Sequence, residues 1–570
     1  MARWWRKRGR IKEIAPDEIF LDSSNLPAHE RSQFEGRVVP ALSRRSIFGV
    51  GIAFALIACA FGAQAFNLQV VHGSSYADIS LNNTLKESVI FATRGLILDR
   101  NGKELAWNEA AFNADGSPST STPYALRRYT STSGFADLLG YVRYPKADAQ
   151  GVWWREEYTP MAGIEYAYDA TLAGVNGASV VETDAHGKVE RQDLVVPPQN
   201  GTNLTLTIDA DVQSQLYDAL VAQAQRQGFR AGAGVIMDVR TGKLLALTTF
   251  PQYDDNAFNA GDATAVRAAF TDPRTPMLDR AIGGLYAPGS IMKTIFAAGA
   301  LDAGIISPDK QIDSVGRITI PNPYDPAHPY IFNDWTAHGW IDMRTALAVS
   351  SDEYFYTIGG GYGDQKGLGI SGLDKYAAMF GLGTTTGISL PGEQAGVIPS
   401  PAWKARMFPN DPTWRLGDTY HTGIGQYGFQ ITPIQAVRYA AAIANGGKLF
   451  TPQFTASSTP QSTQISIPDA DLQVVREGMR LAVTSTRKDA TVGVLNIPGI
   501  DIAAKTGTAQ IGTHNQFVNS WSIGFWPADN PHYAYAVVLE QGPSTETAGA
   551  APALAPFFQW LIANAPQYLQ

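Results

Sequence analysis

One cysteine, Cys59, stands in 570 residues. A disulfide scaffold needs pairs and a cysteine-ligated structural zinc needs several, so both are excluded. Charge is sparse too: Asp, Glu, Lys and Arg make up 17% of the chain, against 45% hydrophobic and 11% aromatic residues. A disordered chain has the opposite balance. Gly (55) and Pro (34) follow no period, which removes collagen-like repeats. The net charge of −8 lacks the basic excess of a nucleic-acid binder. No internal repeat is evident, and no glycine-rich phosphate loop stands between a strand and a helix. The length suits about three to four units of ordinary size.

Charge is also unevenly placed. Residues 1–46 carry ten Lys or Arg and six Asp or Glu, a net +4. Residues 47–66 follow, 20 positions with no charge and only Gln64 strongly polar. As a helix they reach about 30 Å, the thickness of bilayer hydrocarbon. The basic flank puts the N-terminal side in the cytoplasm. Three other readings compete. Ala63-Gln64-Ala65 fits a signal-peptidase site, Leu56-Ile57-Ala58-Cys59 fits a lipidation site, and the stretch fits a buried core helix. A signal peptide has a short basic leader, not 46 residues with acids and prolines, so an uncleaved anchor is the expectation. The remainder then lies outside the cytoplasm, and the absence of Cys after position 59 fits an oxidising compartment.

Beyond the anchor, 88–98 reads as a strand ending in a turn at 99–102, 117–133 as a loop rich in Ser, Thr and Pro, and 196–201 as a linker. Leu204, Leu206 and Ile208 alternate, predicting a strand over 203–208. Asp209 is a candidate N-cap for a helix through 227. Strands are predicted over 233–238 and 243–250, joined by Arg240-Thr241-Gly242. A helix-prone middle follows, then strands over 500–504, 520–525 and 533–540 and a helix over 552–565. Strands at both ends of a helical middle predict an α+β fold with one sheet assembled from the two ends.

Ser290-Ile291-Met292-Lys293 follows Pro288-Gly289 and opens an apolar run, which places Ser290 near a helix N-terminus. Free N–H groups there suit a developing oxyanion, and the helix dipole favours an alkoxide-like Ser. Lys293 at i+3 shares the helix face and suits a general base for Ser290. Ser-x-x-Lys alone is common by chance. Ser350-Ser351-Asp352 lies farther along, after a helix-like stretch, and Lys505-Thr506-Gly507-Thr508 follows a predicted strand with a cation, hydroxyls and a close-approach glycine. The ordered trio is far more specific than any one member. Asp334 and His338 stand four apart, as metal ligands on one helix face do, but the Trp and Gly around them disfavour a helix. A hydrogen-bonding role is the expectation, with no metal.

The trio resembles the signature of penicillin-binding proteins and class A β-lactamases. Further blocks extend the likeness across roughly 90–570: Arg94-Gly95-Leu96-Ile97-Leu98-Asp99-Arg100-Asn101-Gly102, Gly163-Ile164-Glu165, Pro391-Gly392-Glu393, Gly425-Gln426-Tyr427-Gly428 and Ala444-Asn445-Gly446-Gly447. The chain is similar to class B penicillin-binding proteins of the elongation, or rod-shape, type. Asp334-Trp335, His338-Gly339-Trp340 and Tyr354-Phe355-Tyr356 carry that subtype likeness, and Asp352 stands where most relatives have Asn. The resemblance implies a cytoplasmic tail over 1–46, a transmembrane helix over 47–67, a reduced β-rich pedestal of dimerisation type over 68–200, and an α+β transpeptidase domain over 201–570, its antiparallel sheet flanked by helices. It implies peptidoglycan D,D-transpeptidation in a bacterial inner membrane, without a cofactor. Ser290 is then the nucleophile and Lys293 its base, Ser350 relays a proton, Asp352 orients, and Lys505, Thr506, Gly507 and Thr508 bind the substrate carboxylate. Implied partners are stem peptides, β-lactams, a SEDS-family glycosyltransferase and elongation-complex proteins. A β-lactam-hydrolysing or β-lactam-sensing protein and a non-catalytic scaffold are the alternatives.

Overall fold

The computed structural model describes residues 43–77, 85–183 apart from 114, 116, 118, 120, 121 and 150, then 189–545 and 549–570. Residues 1–42 of the tail expected over 1–46 lie outside the described residues. The chain divides into two compact units. One takes in the described parts of Met1–Glu87 and Val180–Asp193, the other those of Ser88–Ser179 and Leu194–Gln570.

The first unit contains α1 (Arg44–Phe66). Ser43 caps it, its hydroxyl accepting from Ser46 N at 3.1 Å, so the helix starts ahead of the apolar run. The path continues to Val71 as a π-helical turn. None of the α1 side chains is buried, and Phe48 is 73% exposed. A helix apolar on every side, with nothing covering it, has the length and composition to cross a membrane.

The strand expected over 88–98 is two strands, Leu85–Ile90, which begins in the first unit, and Ile97–Leu98 in the second. The two belong to different sheets, and between them Arg94 turns inward to Glu165. Arg94 Nε meets Glu165 Oε2 at 2.5 Å, Arg127 Nε meets Oε1 at 2.7 Å, and Arg94 Nη1 meets Asp169 at 2.7 Å. Arg94, Arg127 and Glu165 are all fully buried, so each oxygen of one carboxylate carries its own guanidinium. Gly95 passes so close to Thr202 that a Cβ would lie 2.1 Å from its carbonyl oxygen. Ile97–Leu98 pairs in parallel with Leu204–Thr205, a shorter strand than expected over 203–208, and antiparallel with Glu104–Glu109. The expected loop over 117–133 carries a further strand, Leu126–Tyr129.

Helix α2 (Ala210–Gln227) starts as expected at Asp209, which accepts from the N–H groups of Asp211 and Val212, and stops at Gly228 in the left-handed region. The Asp99 turn clamps its start: Asp99 Oδ2 accepts from Ala210 N at 3.1 Å, and Asn101 donates to Asp209 at 3.0 Å. Five antiparallel strands form the central sheet: β1 (Ala231–Asp238), β2 (Leu244–Phe250), β3 (Ala503–Ile511), β4 (Phe517–Trp526) and β5 (Tyr533–Pro543), in the order β2-β1-β5-β4-β3. Both chain ends of the domain supply it, as predicted. Alternate side chains feed two cores. Ile236 and its neighbour Ala246 face the one built with α2 and the final helix (Ala550–Asn564); Val235 and Leu247 face the one built with the helical middle. β3 corrects the expectation of a strand ending at 504. It runs through Ile511 because β4 offers partners throughout, Lys505 lying opposite Ile523 and Gly507 opposite Trp521. Cross-strand pairing overrides the weak strand preference of Lys-Thr-Gly.

Glu165→Ala leaves two buried guanidinium groups without their shared carboxylate. It should cost about 3–5 kcal/mol of unfolding free energy, read as a lower urea midpoint; an unchanged midpoint contradicts a structural role for this cluster.

Candidate active site

Ser290 lies in a tight 3₁₀ turn, Gly289–Met292, that leads into α3 (Lys293–Asp302). Nine of the ten α3 residues are buried, so the helix runs through the domain's centre. The segment before it is pinned at two points. Gly289 N donates to Gly425 O at 3.0 Å, and Trp521 Nε1 of β4 donates to Ala287 O at 3.0 Å. The edge strand β3 lies directly on this turn. A Cβ at Gly507 would meet Pro288 O at 2.6 Å, and one at Gly289, where φ is +59°, would meet Thr508 O at 2.8 Å. Glycine at both positions is what lets Lys505-Thr506-Gly507-Thr508 approach Ser290.

A second break brings in the remaining groups. Helix α4 (Met343–Val349) ends at Ser350, held in the left-handed region at φ +59°, and Ser351 caps α5 (Asp352–Gly360). Lys293 Nζ donates to Ser350 O at 2.7 Å, to Ser350 Oγ at 3.4 Å and to Asp352 Oδ1 at 2.6 Å. Lys505 Nζ donates to Ser350 Oγ and to Thr506 O, both at 2.8 Å. One serine hydroxyl thus stands between two lysines that are each 0% exposed. Asp352 pairs with Lys293 and makes no hydrogen bond to Lys505. Burial first, and then the charge of Lys293, push the Lys505 ammonium well below its ordinary range, with Asp352 only partly opposing them. All eight residues singled out from the sequence therefore line one site. Among the described residues no side-chain hydrogen bond joins Ser290 to Lys293.

Behind this layer, Asp334 and His338 sit in irregular chain, not on a helix. Asp334 Oδ2 accepts from Ser351 Oγ at 2.7 Å and from Glu353 N at 3.0 Å. His338 Nδ1 meets Asp489 Oδ2 at 2.8 Å, so it hydrogen-bonds as expected, but to a residue that sequence spacing did not single out. Gln426 was named only as part of a block; its Nε2 lies 3.5 Å from Thr508 O. It borders a cavity of about 430 Å³ that also involves Tyr286, Tyr427, Gln510, Asn519 and Glu540. Tyr427, held at φ +58°, is bulky for a left-handed position, and such strain collects at functional sites. The amide-rich lining suits a peptide better than a hydrocarbon.

Comparison with known proteins agrees with this architecture. Residues 232–561 match the profile described as the Penicillin binding protein transpeptidase domain, and residues 119–206 that of the Penicillin-binding Protein dimerisation domain. The chain is 31% identical over 472 residues to the peptidoglycan D,D-transpeptidase MrdA of Acinetobacter baumannii, covering 76% of this chain and 66% of that protein. It is 28% identical over 601 residues to MrdA of Escherichia coli K12, covering 88% and 90%. Among solved structures, the penicillin-binding protein PBP2 of Helicobacter pylori, in complex with MreC, superposes with a TM-score of 0.69 at 24% identity, covering 85% of this chain and 99% of that one.

One titration checks the site's electrostatics. With ¹³C-labelled lysines, one resonance should titrate clearly below about 10.4 and disappear in Lys505→Arg. A Lys505 signal at or above the ordinary value contradicts the burial and charge crowding described here.

Proposed function

Because the chain belongs to the penicillin-binding protein transpeptidase family, whose domain profile covers more than half of it, we propose that it is a membrane-anchored peptidoglycan D,D-transpeptidase of cell elongation. The observation that carries the reading is the Ser350 hydroxyl set between Lys293 and Lys505 at 3.4 and 2.8 Å, beside the Ser290 turn.

Ser290 Oγ attacks the carbonyl of the penultimate D-Ala of a stem peptide and gives its proton to Lys293. Lys293 must first be neutral, yet in the resting site it donates to Asp352. Lys505, whose ammonium is disfavoured by burial, offers a place for that proton across Ser350 Oγ. A substrate carboxylate arriving at Lys505, Thr506 and Thr508 supplies the missing counter-charge. The proton then moves from Lys293 through Ser350 to Lys505, and the base is freed only when substrate is present. Backbone N–H groups of Ser290 and Thr508 hold the tetrahedral oxyanion. The C–N bond breaks, and D-Ala leaves as the amine, protonated through Lys293 and Ser350. The amine of a neighbouring stem attacks the ester, forms the cross-link amide, and its proton restores the Ser290 hydroxyl. β-Lactams acylate the same oxygen.

The apolar helix α1 and the basic residues before it support a single-pass anchor with its N-terminus in the cytoplasm and the catalytic domain outside the inner membrane. The Helicobacter relative's complex with MreC supports an elongation-complex partner for this chain. A SEDS-family glycosyltransferase is the proposed source of the nascent glycan.

The test is cross-linking of nascent glycan strands by the full-length protein in detergent, scored by D-Ala release. Wild type should cross-link, Ser290→Ala should be inactive, and Lys293→Ala should lose about 10²–10⁴-fold. Full complementation by Ser290→Ala favours the scaffold reading, and rapid turnover of penicillin favours the hydrolase reading.

A further inference from the structure

Asp489 stands 151 residues after His338, in the segment between helix Asp469–Thr484 and β3. Arg487 grips it at two points, Nε on Oδ1 at 2.9 Å and Nη2 on Oδ2 at 2.7 Å, and also donates to His338 O at 3.1 Å. Asp489 Oδ2 in turn meets His338 Nδ1 at 2.8 Å. The His338 ring is fully buried, and its Nε2 has no hydrogen-bond partner but lies 3.7 Å from Asp334 Oδ2. That same oxygen holds Ser351 Oγ and Glu353 N, the residues on either side of Asp352. Asp352 then meets Lys293 at 2.6 Å. A chain of polar contacts therefore runs from a surface loop to the buried lysine.

We propose that Asp489 and His338 are positioning residues: through Asp334 they fix the Ser351-Asp352-Glu353 segment against Lys293, so that the loop before β3 sets the geometry of the reacting lysine. The contact is not set by packing alone, because its middle member is ionisable. His338 faces two carboxylates, Asp334 and Asp489, with Arg487 at its carbonyl and the Trp335 ring packed 5.1 Å away. Lys293 and Glu353 act on Asp334 from the other side. Burial opposes a charged imidazole, but the two carboxylates, Asp489 in hydrogen bond and Asp334 at 3.7 Å, outweigh it and raise His338 above the usual 6.5. Burial likewise opposes ionisation of Asp334, yet His338, Lys293 and the N–H of Glu353 hold it at about 2. Arg487 foremost, despite some burial, holds Asp489 at about 2 as well. The charged ring points an N–H toward each carboxylate. Once it loses its proton, Nδ1 keeps Asp489 and a lone pair faces Asp334. The ion pairing is thus complete below about pH 6.5 and is lost as pH rises through the raised value. Asp334 then loosens, and Asp352 with it.

The inference rests on the reading of Ser290 as the acylated residue. The test is acylation of the full-length protein by a fluorescent penicillin across pH, for wild type, Asp489→Asn, Asp489→Glu and His338→Gln. Asp489→Asn keeps shape and acceptor but removes the charge. It should slow acylation about tenfold, as small misplacements of reacting groups do, and its alkaline decline should begin at lower pH than in wild type. Asp489→Glu should recover part of the rate, and His338→Gln should lack that decline. If His338→Gln fails to fold, Asp489→Asn decides. A rate within about twofold of wild type with a superimposable profile overturns the relay. So does a tightly held metal whose removal by chelator slows acylation, since the ring would then carry a metal in place of a proton. A wild type that takes no label refutes the reading of Ser290 instead.

Discussion

Two lysine side chains buried against a single serine hydroxyl, with one carboxylate to offset them, are the constraint around which this molecule is built. Each buried ion costs several kcal/mol in lost hydration, and Asp352 meets only Lys293 directly. The deficit falls on Lys505, whose ammonium burial pushes well down. Packing must hold such a pair together, because the charges alone would separate it. Three separate stretches do this work. The buried helix α3 carries Lys293, the left-handed break between α4 and α5 carries Ser350 and Asp352, and the edge strand β3 carries Lys505. Gly289 and Gly507 let the first and third touch.

The cluster around Glu165 is the instructive contrast. There too charge is buried completely, but two guanidinium groups meet the two oxygens of one carboxylate, and Asp169 takes the remaining arm of Arg94. Both carboxylate oxygens are taken, as suits a group that holds chain segments together, although among the described residues Arg127 Nη2 is buried without a hydrogen-bond partner. At the Ser290 site Lys505 has no carboxylate partner among the described residues, and in the proposed mechanism a substrate carboxylate supplies it.

Much of this was legible in the sequence. The strands expected on either side of Arg240-Thr241-Gly242 are β1 and β2, Asp209 and the expected end at 227 bound α2, and the order Ser290-Lys293, Ser350-Asp352, Lys505-Thr508 names residues that the fold brings together. The errors have a common cause in long-range contacts. β3 continues past 504 because β4 lies beside it, and the strand expected over 88–98 is divided between two sheets whose partners lie far along the chain. Asp489 left no local signal at all, since its partner His338 lies 151 residues earlier. His338 was recognisable as a polar residue needing a partner, but spacing pointed to Asp334, which proves the more distant of its two carboxylates.

In the proposed mechanism the Lys293-Ser350-Lys505 group works because its protons are short of counter-charge, with Asp352 setting how firmly one is held. A pH–rate profile of Ser290 acylation by penicillin, at low salt, for wild type and Asp352→Asn, tests this most directly. Asn keeps the shape and one acceptor but removes a charge 2.6 Å from Lys293 Nζ. A neutral amine then forms more readily, so the rising limb of the profile should move to lower pH. A limb that stays in place or moves upward contradicts the account and reduces Asp352 to a hydrogen-bonding residue.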